Sequence, residues 1–473
     1  MSLRNTIIVL VLLAVVGGYA LIVGLGSKPI PPPTLLKFDA QQVTALDLKY
    51  PDREVLLKRE RDGGWRIVKP IEAKADGASV KTLIDSIADC QIKETLEQHP
   101  ADVARFGLKD PRAILTLTVK GKGALPAIEI GNKTPVGDSA YAQVSGRPAV
   151  VLVAGSFSAD AMKTANDFRD RELMNFAVGQ VQQFAIDHAE GATLELARNG
   201  DKWQILKPDR YDADPTVVQG ALSALANLQI ADFIVDNPTN LAEYGLDKPR
   251  FTITIYTGKQ GVPQTLKFGT DQIGGRDGIY VQRAGDPSVF TIYKESLNGF
   301  DKSLNEFRDK TVFAFEPSAV GRVDVENAME QYTLARAPAG WTITWNGRTE
   351  PAKTPVVENF LDEIRFLKGT GIVADPMVNA AKFGMDKPRV LIRVFDRKGQ
   401  RIGELKLSTT TIAAPGPNGG PMGNQEFPYA ASSASRTLYT IDSYDYAQIN
   451  KTAFDFGFNS GKPQPSATPA QSK

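Results

Sequence analysis

The chain has 473 residues, 42% of them hydrophobic and 23% charged, a globular composition too long for one ordinary core. Its 55 lysines and arginines nearly balance its 54 aspartates and glutamates, so no net field favours nucleic acid, and none is expected as a partner. A single cysteine, Cys90, excludes an intramolecular disulfide and a cysteine-based zinc site.

In chain order, a short tail (residues 1–5) precedes Thr6 to Leu25, twenty residues without a charge. As a helix rising about 1.5 Å per residue, this run spans roughly 30 Å, the hydrocarbon thickness of a bilayer. It is longer than the apolar core of a signal peptide and passes through Gly24-Leu25-Gly26-Ser27 without an Ala-x-Ala site, so an uncleaved transmembrane anchor over 6–25 is expected. Arg4 on one side against Lys28 on the other gives a thin bias toward a cytoplasmic amino end. Residues 26–37, with Pro29-Ile30-Pro31-Pro32-Pro33, read as a stiff spacer.

Beyond the spacer the chain repeats itself. Phe106-Gly107-Leu108-Lys109-Asp110-Pro111-Arg112 returns as Tyr244-Gly245-Leu246-Asp247-Lys248-Pro249-Arg250 and as Phe383-Gly384-Met385-Asp386-Lys387-Pro388-Arg389, the glycines 138 and 139 residues apart. Trp65, Trp203 and Trp341 keep the same spacing. Each heads an alternating, strand-like run, and a further alternating run precedes it, starting at Val43, Val181 and Val320. A helix is expected next, with one apolar face: Val80, Leu83, Ile84, Ile87 and Cys90 in copy one; Val217, Val218, Ala221, Leu222, Leu225 and Leu228 in copy two; Val356, Val357, Phe360, Leu361, Ile364 and Leu367 in copy three. Asp76 and Asp214 stand where an acceptor would cap the first two helices. The register makes Cys90 a buried small hydrophobe.

Beyond each heptad come about four strands, Tyr141, Tyr280 and Tyr429 opening the third of them. A closing helix is expected to end in Phe168-Arg169-Asp170 and Phe307-Arg308-Asp309, replaced in copy three by Asn450-Lys451-Thr452-Ala453-Phe454. The fold expected is α+β: three tandem modules of mainly antiparallel strands with two helices each, preceded by one transmembrane helix. Module 1 covers 38–175, module 2 covers 176–314, and a divergent module 3 covers 315–458. The Pro/Ser/Ala/Gln-rich tail 459–473 reads as disordered.

Chemistry is sparse. His99 and His188 occupy non-equivalent positions, so no repeated histidine relay or metal site exists, and there is no phosphate loop, Gly-x-Ser-x-Gly or His-Glu-x-x-His. No catalytic, cofactor-binding or metal-binding residue is assigned, and no cofactor is expected. Gly269 to Gly278 holds carboxylates among glycines without a regular ligand spacing and reads as a hairpin loop. The tryptophans read as packing residues rather than ligand platforms. Arg112, Arg250 and Arg389 are the candidate interaction residues, each able to offer a guanidinium fork to a carboxylate or phosphate. A turn needed three times explains the heptad better than a reaction site needed once.

The anchor, Trp65-x-Ile67-x-x-Pro70 with Ala75-Asp76, Trp203-x-Ile205-x-x-Pro208 with Ala213-Asp214, and the Gly107 and Gly245 turns together resemble the bacterial domain-of-unknown-function 4340 family. Copy three departs from the pattern: Pro and Ala-Asp are missing after Trp341, and Ser408 stands where Gly131 and Gly269 stand earlier. The resemblance implies a single-pass protein of the bacterial inner membrane with its soluble body on the periplasmic side, accompanying ABC-type exporters of a gliding-motility-like kind, and it carries over no catalytic residue. The expected function is a non-enzymatic accessory or scaffold subunit, with a transporter permease or other envelope proteins and the membrane as partners. An envelope glycan- or lipid-binding module and a hydrolase with a dispersed carboxylate pair are the alternatives.

Overall fold

A computed structural model describes residues 14–16, 33–258, 261–272, 277–415 and 421–459. The chain divides into two compact units, one ending at Glu172 and one starting at Leu173. The first unit contains one antiparallel sheet and the second contains two.

From edge to edge the first sheet runs Ala73–Ala75, Trp65–Lys69, Glu54–Arg59, Val43–Lys49, Ala113–Val119, Ile128–Lys133, Ser139–Val144, Val150–Ala154 and Glu94–Glu97, with the short strand Gly123–Ala124 beside Ala113–Val119. The second runs Tyr211–Asp212, Lys202–Lys207, Leu194–Asn199, Val181–His188, Phe251–Thr257, Gln264–Asp271, Gly278–Arg283, Val289–Tyr293 and Asp232–Val235. The third runs Arg348–Ala352, Gly340–Trp345, Gln331–Ala337, Val320–Asn327, Val390–Asp396, Arg401–Pro415, Pro421–Ser432, Leu438–Thr440 and Gly371–Ala374. The plan is the same each time. Strand one lies in the middle, strands two to four meander to one edge, and the helix carries the chain to a fifth strand at the opposite edge. Strand six then returns to pair with strand one. Even the irregularity repeats, since strand one slips register against strand six at Val43/Ala45, Val181/Gln183 and Val320/Arg322.

Alternation explains the layering. Along Ala113–Val119 every second residue is buried. Those side chains share one core with Val80, Leu83, Ile84 and Ile87 of the helix Gly77–Ala88. The helices Pro215–Ala226 and Thr354–Phe366 cover their sheets the same way. Asp76 caps the first helix by accepting the N–H groups of Ala78 and Ser79 at 3.1 Å each, and Asp214 caps the second through Thr216 and Val217. Lys353 begins the third without a side-chain cap.

Two expectations need correction. The modules do not carry two helices each. After its long helix the first has two short ones, Gly155–Asp160 and Ala165–Phe168, while the second has a 3₁₀ segment, Lys294–Gly299, and the single turn Leu304–Phe307. Thr164 with Asp167 and Ser303 with Glu306 form capping boxes that start one turn. The chain must then straighten, because Arg169 and Arg308 pair with Ala75 and Ala213 at the sheet edge. Only the third module has a second helix of two turns, Ser443–Ile449. The fold is therefore mostly sheet, and a fourth strand precedes each long helix.

The second correction concerns the membrane helix. No helix among the described residues is long and apolar enough to cross a membrane. Apart from helical Ala14–Val16, the stretch Thr6–Leu25 lies outside the described residues, as do most of the spacer and the tail from 460.

The heptad packs on a patch of the opposite face of each sheet. Tyr141 stands between Ala140 and Ala142, which belong to the main core, so its ring points to the other face, where it meets Phe106 at 5.0 Å. Tyr244 meets Tyr280 at 5.0 Å and Phe383 meets Tyr429 at 5.3 Å in the same way. Substituting Gly269, where a Cβ would lie 2.0 Å from the Tyr244 carbonyl oxygen, by alanine should lower unfolding stability by about 1–3 kcal/mol in denaturant titration. Gly220→Ala, in open space on the helix Pro215–Ala226, should raise it by about 0.5–1 kcal/mol.

Candidate functional site

The heptad is a short 3₁₀ turn stopped by a left-handed glycine: φ is +71° at Gly107, +65° at Gly245 and +67° at Gly384. The aliphatic residue after it, Leu108, Leu246 or Met385, is buried. The turn lies so close to the sheet that a Cβ on Gly131 would sit 2.2 Å from the Phe106 carbonyl oxygen. Ser408 at the matching position of the third sheet is buried as well, its hydroxyl directed toward Gly384.

The three candidate arginines each immediately precede strand six of their own sheet. Arg112 and Arg250 donate their backbone N–H groups to Ile130 and Phe268. The Arg250 guanidinium ion-pairs with Asp271 at 2.8 Å, and Lys294 holds the other oxygen of that carboxylate at 2.6 Å. Hydrogen bonding from Lys294 is the main reason the Asp271 carboxyl lies below its usual range, and burial opposes it. Arg389 reaches Glu426 at 3.9 Å. These pairs are exposed and local to one strand junction. The carboxylate-and-glycine stretch beyond Asp271 does join two paired strands, with 273–276 outside the described residues.

Other singled-out residues are interior. Trp65, Trp203 and Trp341 are buried, each opposite an arginine of the neighbouring strand whose guanidinium lies over the indole: Arg59, Arg198 and Arg336. Cys90 packs in the first core, and burial pushes its thiol up to about 12, leaving it protonated and inert. His188 contacts Asp301 at 3.0 Å and packs on Phe251. Among the described residues no three His, Cys, Asp or Glu side chains are placed to hold a metal ion.

The polar cluster missed from sequence lies within the second unit, where the second and third sheets meet. Arg308 is only 6% exposed. It stacks 3.8 Å from the Tyr211 ring centroid, ion-pairs with Asp375 and donates to the Thr437 hydroxyl. Beside it Lys368 binds the capping carboxylate of Asp214 at 3.0 Å. Burial works against the charge on Asp214, but Lys368 and the N–H groups of Thr216 and Val217 outweigh it, and the carboxyl lies below its usual range. Lys310 nearby is pushed down by burial. The signal available was Phe-Arg-Asp closing copies one and two and missing from copy three.

With this geometry in view, the profile of the family described as Domain of unknown function (DUF4340) matches residues 65–236 and again 203–388, and the chain belongs to that family. The two matches overlap and begin at Trp65 and Trp203, one repeat apart, so the matched unit starts at the third strand of one sheet and runs into the next. No curated protein matches the chain. Among solved structures, a DNA polymerase sliding clamp from Pseudomonas aeruginosa with ligand aligns over 89% of this chain and 94% of that chain, at 9% identity and a TM-score of 0.13, too low to bear on fold or function.

Removing Asp375 leaves the Arg308 charge buried without its partner. Asp375→Ala should therefore cost about 3–5 kcal/mol in chemical denaturation, whereas Arg250→Ala at its exposed pair should cost at most about 1 kcal/mol. Asp214 titrates lower in the folded chain than unfolded, so its contribution is complete above an ordinary carboxylate pKa of about 3.9 and is lost as pH falls through the lower native value. Asp214→Asn should flatten the acid side of the stability–pH profile in that window.

Proposed function

We propose that the protein is a non-enzymatic accessory or scaffold subunit of an ABC-type, gliding-motility-like transport complex. Its body faces the extracytoplasmic side, and the uncharged stretch Thr6–Leu25 attaches it to the bacterial inner membrane. The observation that carries the reading is repetition: one sheet plan is built three times, with its helix face, its heptad staple and its arginine-covered tryptophan. A reaction centre is needed once, whereas a surface that engages a large partner gains from being multiplied. Two of the recurring arginines, Arg250 and Arg389, are held in local pairs, which suits a rim of weak polar contacts rather than a centre. The transport partner is inferred from the resemblance to envelope proteins that accompany such exporters.

Affinity purification of the full chain after mild solubilisation should recover a transporter permease with it. Recovery alone, under conditions that keep other transporter complexes intact, would count against the proposal. A reporter fused after Lys473 should be active only outside the cytoplasm; cytoplasmic activity would reverse the orientation.

A further inference from the structure

The third module, divergent in sequence, carries a groove of about 720 Å³ walled by Arg322, Arg336, Trp341, Asp396 and Arg397. Arg336 belongs to the shared plan, as the cross-strand partner of the module tryptophan. The other two arginines are peculiar to this copy. Arg322 pairs with Phe395 just after the strand-one irregularity, where Gln183 pairs with Tyr256 and Ala45 with Thr118 in the other sheets. Arg397 directly follows strand six, at the position of Gly258 and Lys120.

All three side chains are held by their Nε atoms. Arg336 donates to the Val320 carbonyl and Arg397 to the Ser318 carbonyl, both at 3.1 Å. Arg322 pairs with Asp324 at 3.3 Å and stacks on Phe395. The neighbouring carboxylates are already committed. Asp324 also accepts from the Thr333 hydroxyl. Glu358 takes Nη2 of Arg336 and the indole N–H of Trp341. Asp396 takes the backbone N–H groups of Lys398 and Gln400. Both terminal nitrogens of Arg322 and of Arg397, and Nη1 of Arg336, have no acceptor among the described residues. Counting those carboxylates, the site is close to neutral, so what it offers is oriented donors rather than a strong field.

We propose that this groove binds the phosphoryl group of an anionic ligand. Guanidinium forks match phosphoryl oxygens in pairs, and a phosphoryl group has enough oxygens to engage more than one fork, whereas a carboxylate fills one. Anchoring at Nε removes much of the side-chain freedom that binding would otherwise have to freeze. The volume suits a ligand larger than phosphate itself. The proposal does not depend on the transport partner: a chain purified alone would leave it standing.

The test uses the full-length chain in mild detergent, followed by tryptophan fluorescence, since Trp341 lines the groove. Titrants are pyrophosphate and, below its micellar concentration, dihexanoyl phosphatidylglycerol. Saturable binding of at least one is expected, weakened about tenfold or more in Arg322→Gln/Arg397→Gln and unchanged in Arg112→Gln. Binding of pyrophosphate alone assigns a phosphorylated solute, and binding of the lipid assigns a headgroup. Saturation by neither titrant, or equal binding by the double variant with its circular dichroism intact, overturns the proposal.

Discussion

The first two sheets each depend on one close approach, the carbonyl of the heptad aromatic resting against a glycine of the strand next to strand six. Gly131 and Gly269 allow it, and any Cβ there would overlap the oxygens of Phe106 and Tyr244. The contact seats the turn against the face that the helix leaves open. It also sets the aromatic of the turn against Tyr141 or Tyr280. The third sheet keeps the aromatic contact, Phe383 packing on Tyr429, the cross-strand partner of Ser408.

The edges are handled separately. The fourth strand of the first two sheets is short and is covered by the closing segment of its own module, through the pairing of Ala75 with Arg169 and of Ala213 with Arg308. Within the second unit that segment does more, since Arg308 reaches Asp375 and Thr437 of the following sheet. A buried guanidinium persists only where hydrogen bonds and a counter-charge surround it. Copy three closes differently, packing Phe456 on Tyr332 and Phe360. The arginines gathered around its groove set it further apart from the other two copies.

Where sequence reasoning missed, the cause is identifiable. The segments before Phe168 and Phe307 carry helix-starting residues but too short an apolar periodicity to hold a long helix, and a sheet edge claims the residues that would continue it. Ala73–Ala75 and Tyr211–Asp212 are too short to show alternation at all. Arg322 and Arg397 lie 75 residues apart in the chain, and no pattern in either neighbourhood announces that strands one and six place them on one groove.

The sequence by itself determined the repeat, its period, the antiparallel strand-rich character of the modules, the capped helix face and the burial of Cys90. All of these are written as local periodicity or as register between copies, and both are visible along a line. Tertiary structure alone decided the strand order, the packing of the heptad on the second face, the buried Arg308 lock and the grouping of three arginines around Trp341. Those depend on which segments, far apart in the chain, pair across a sheet, a choice made by backbone hydrogen bonding and packing.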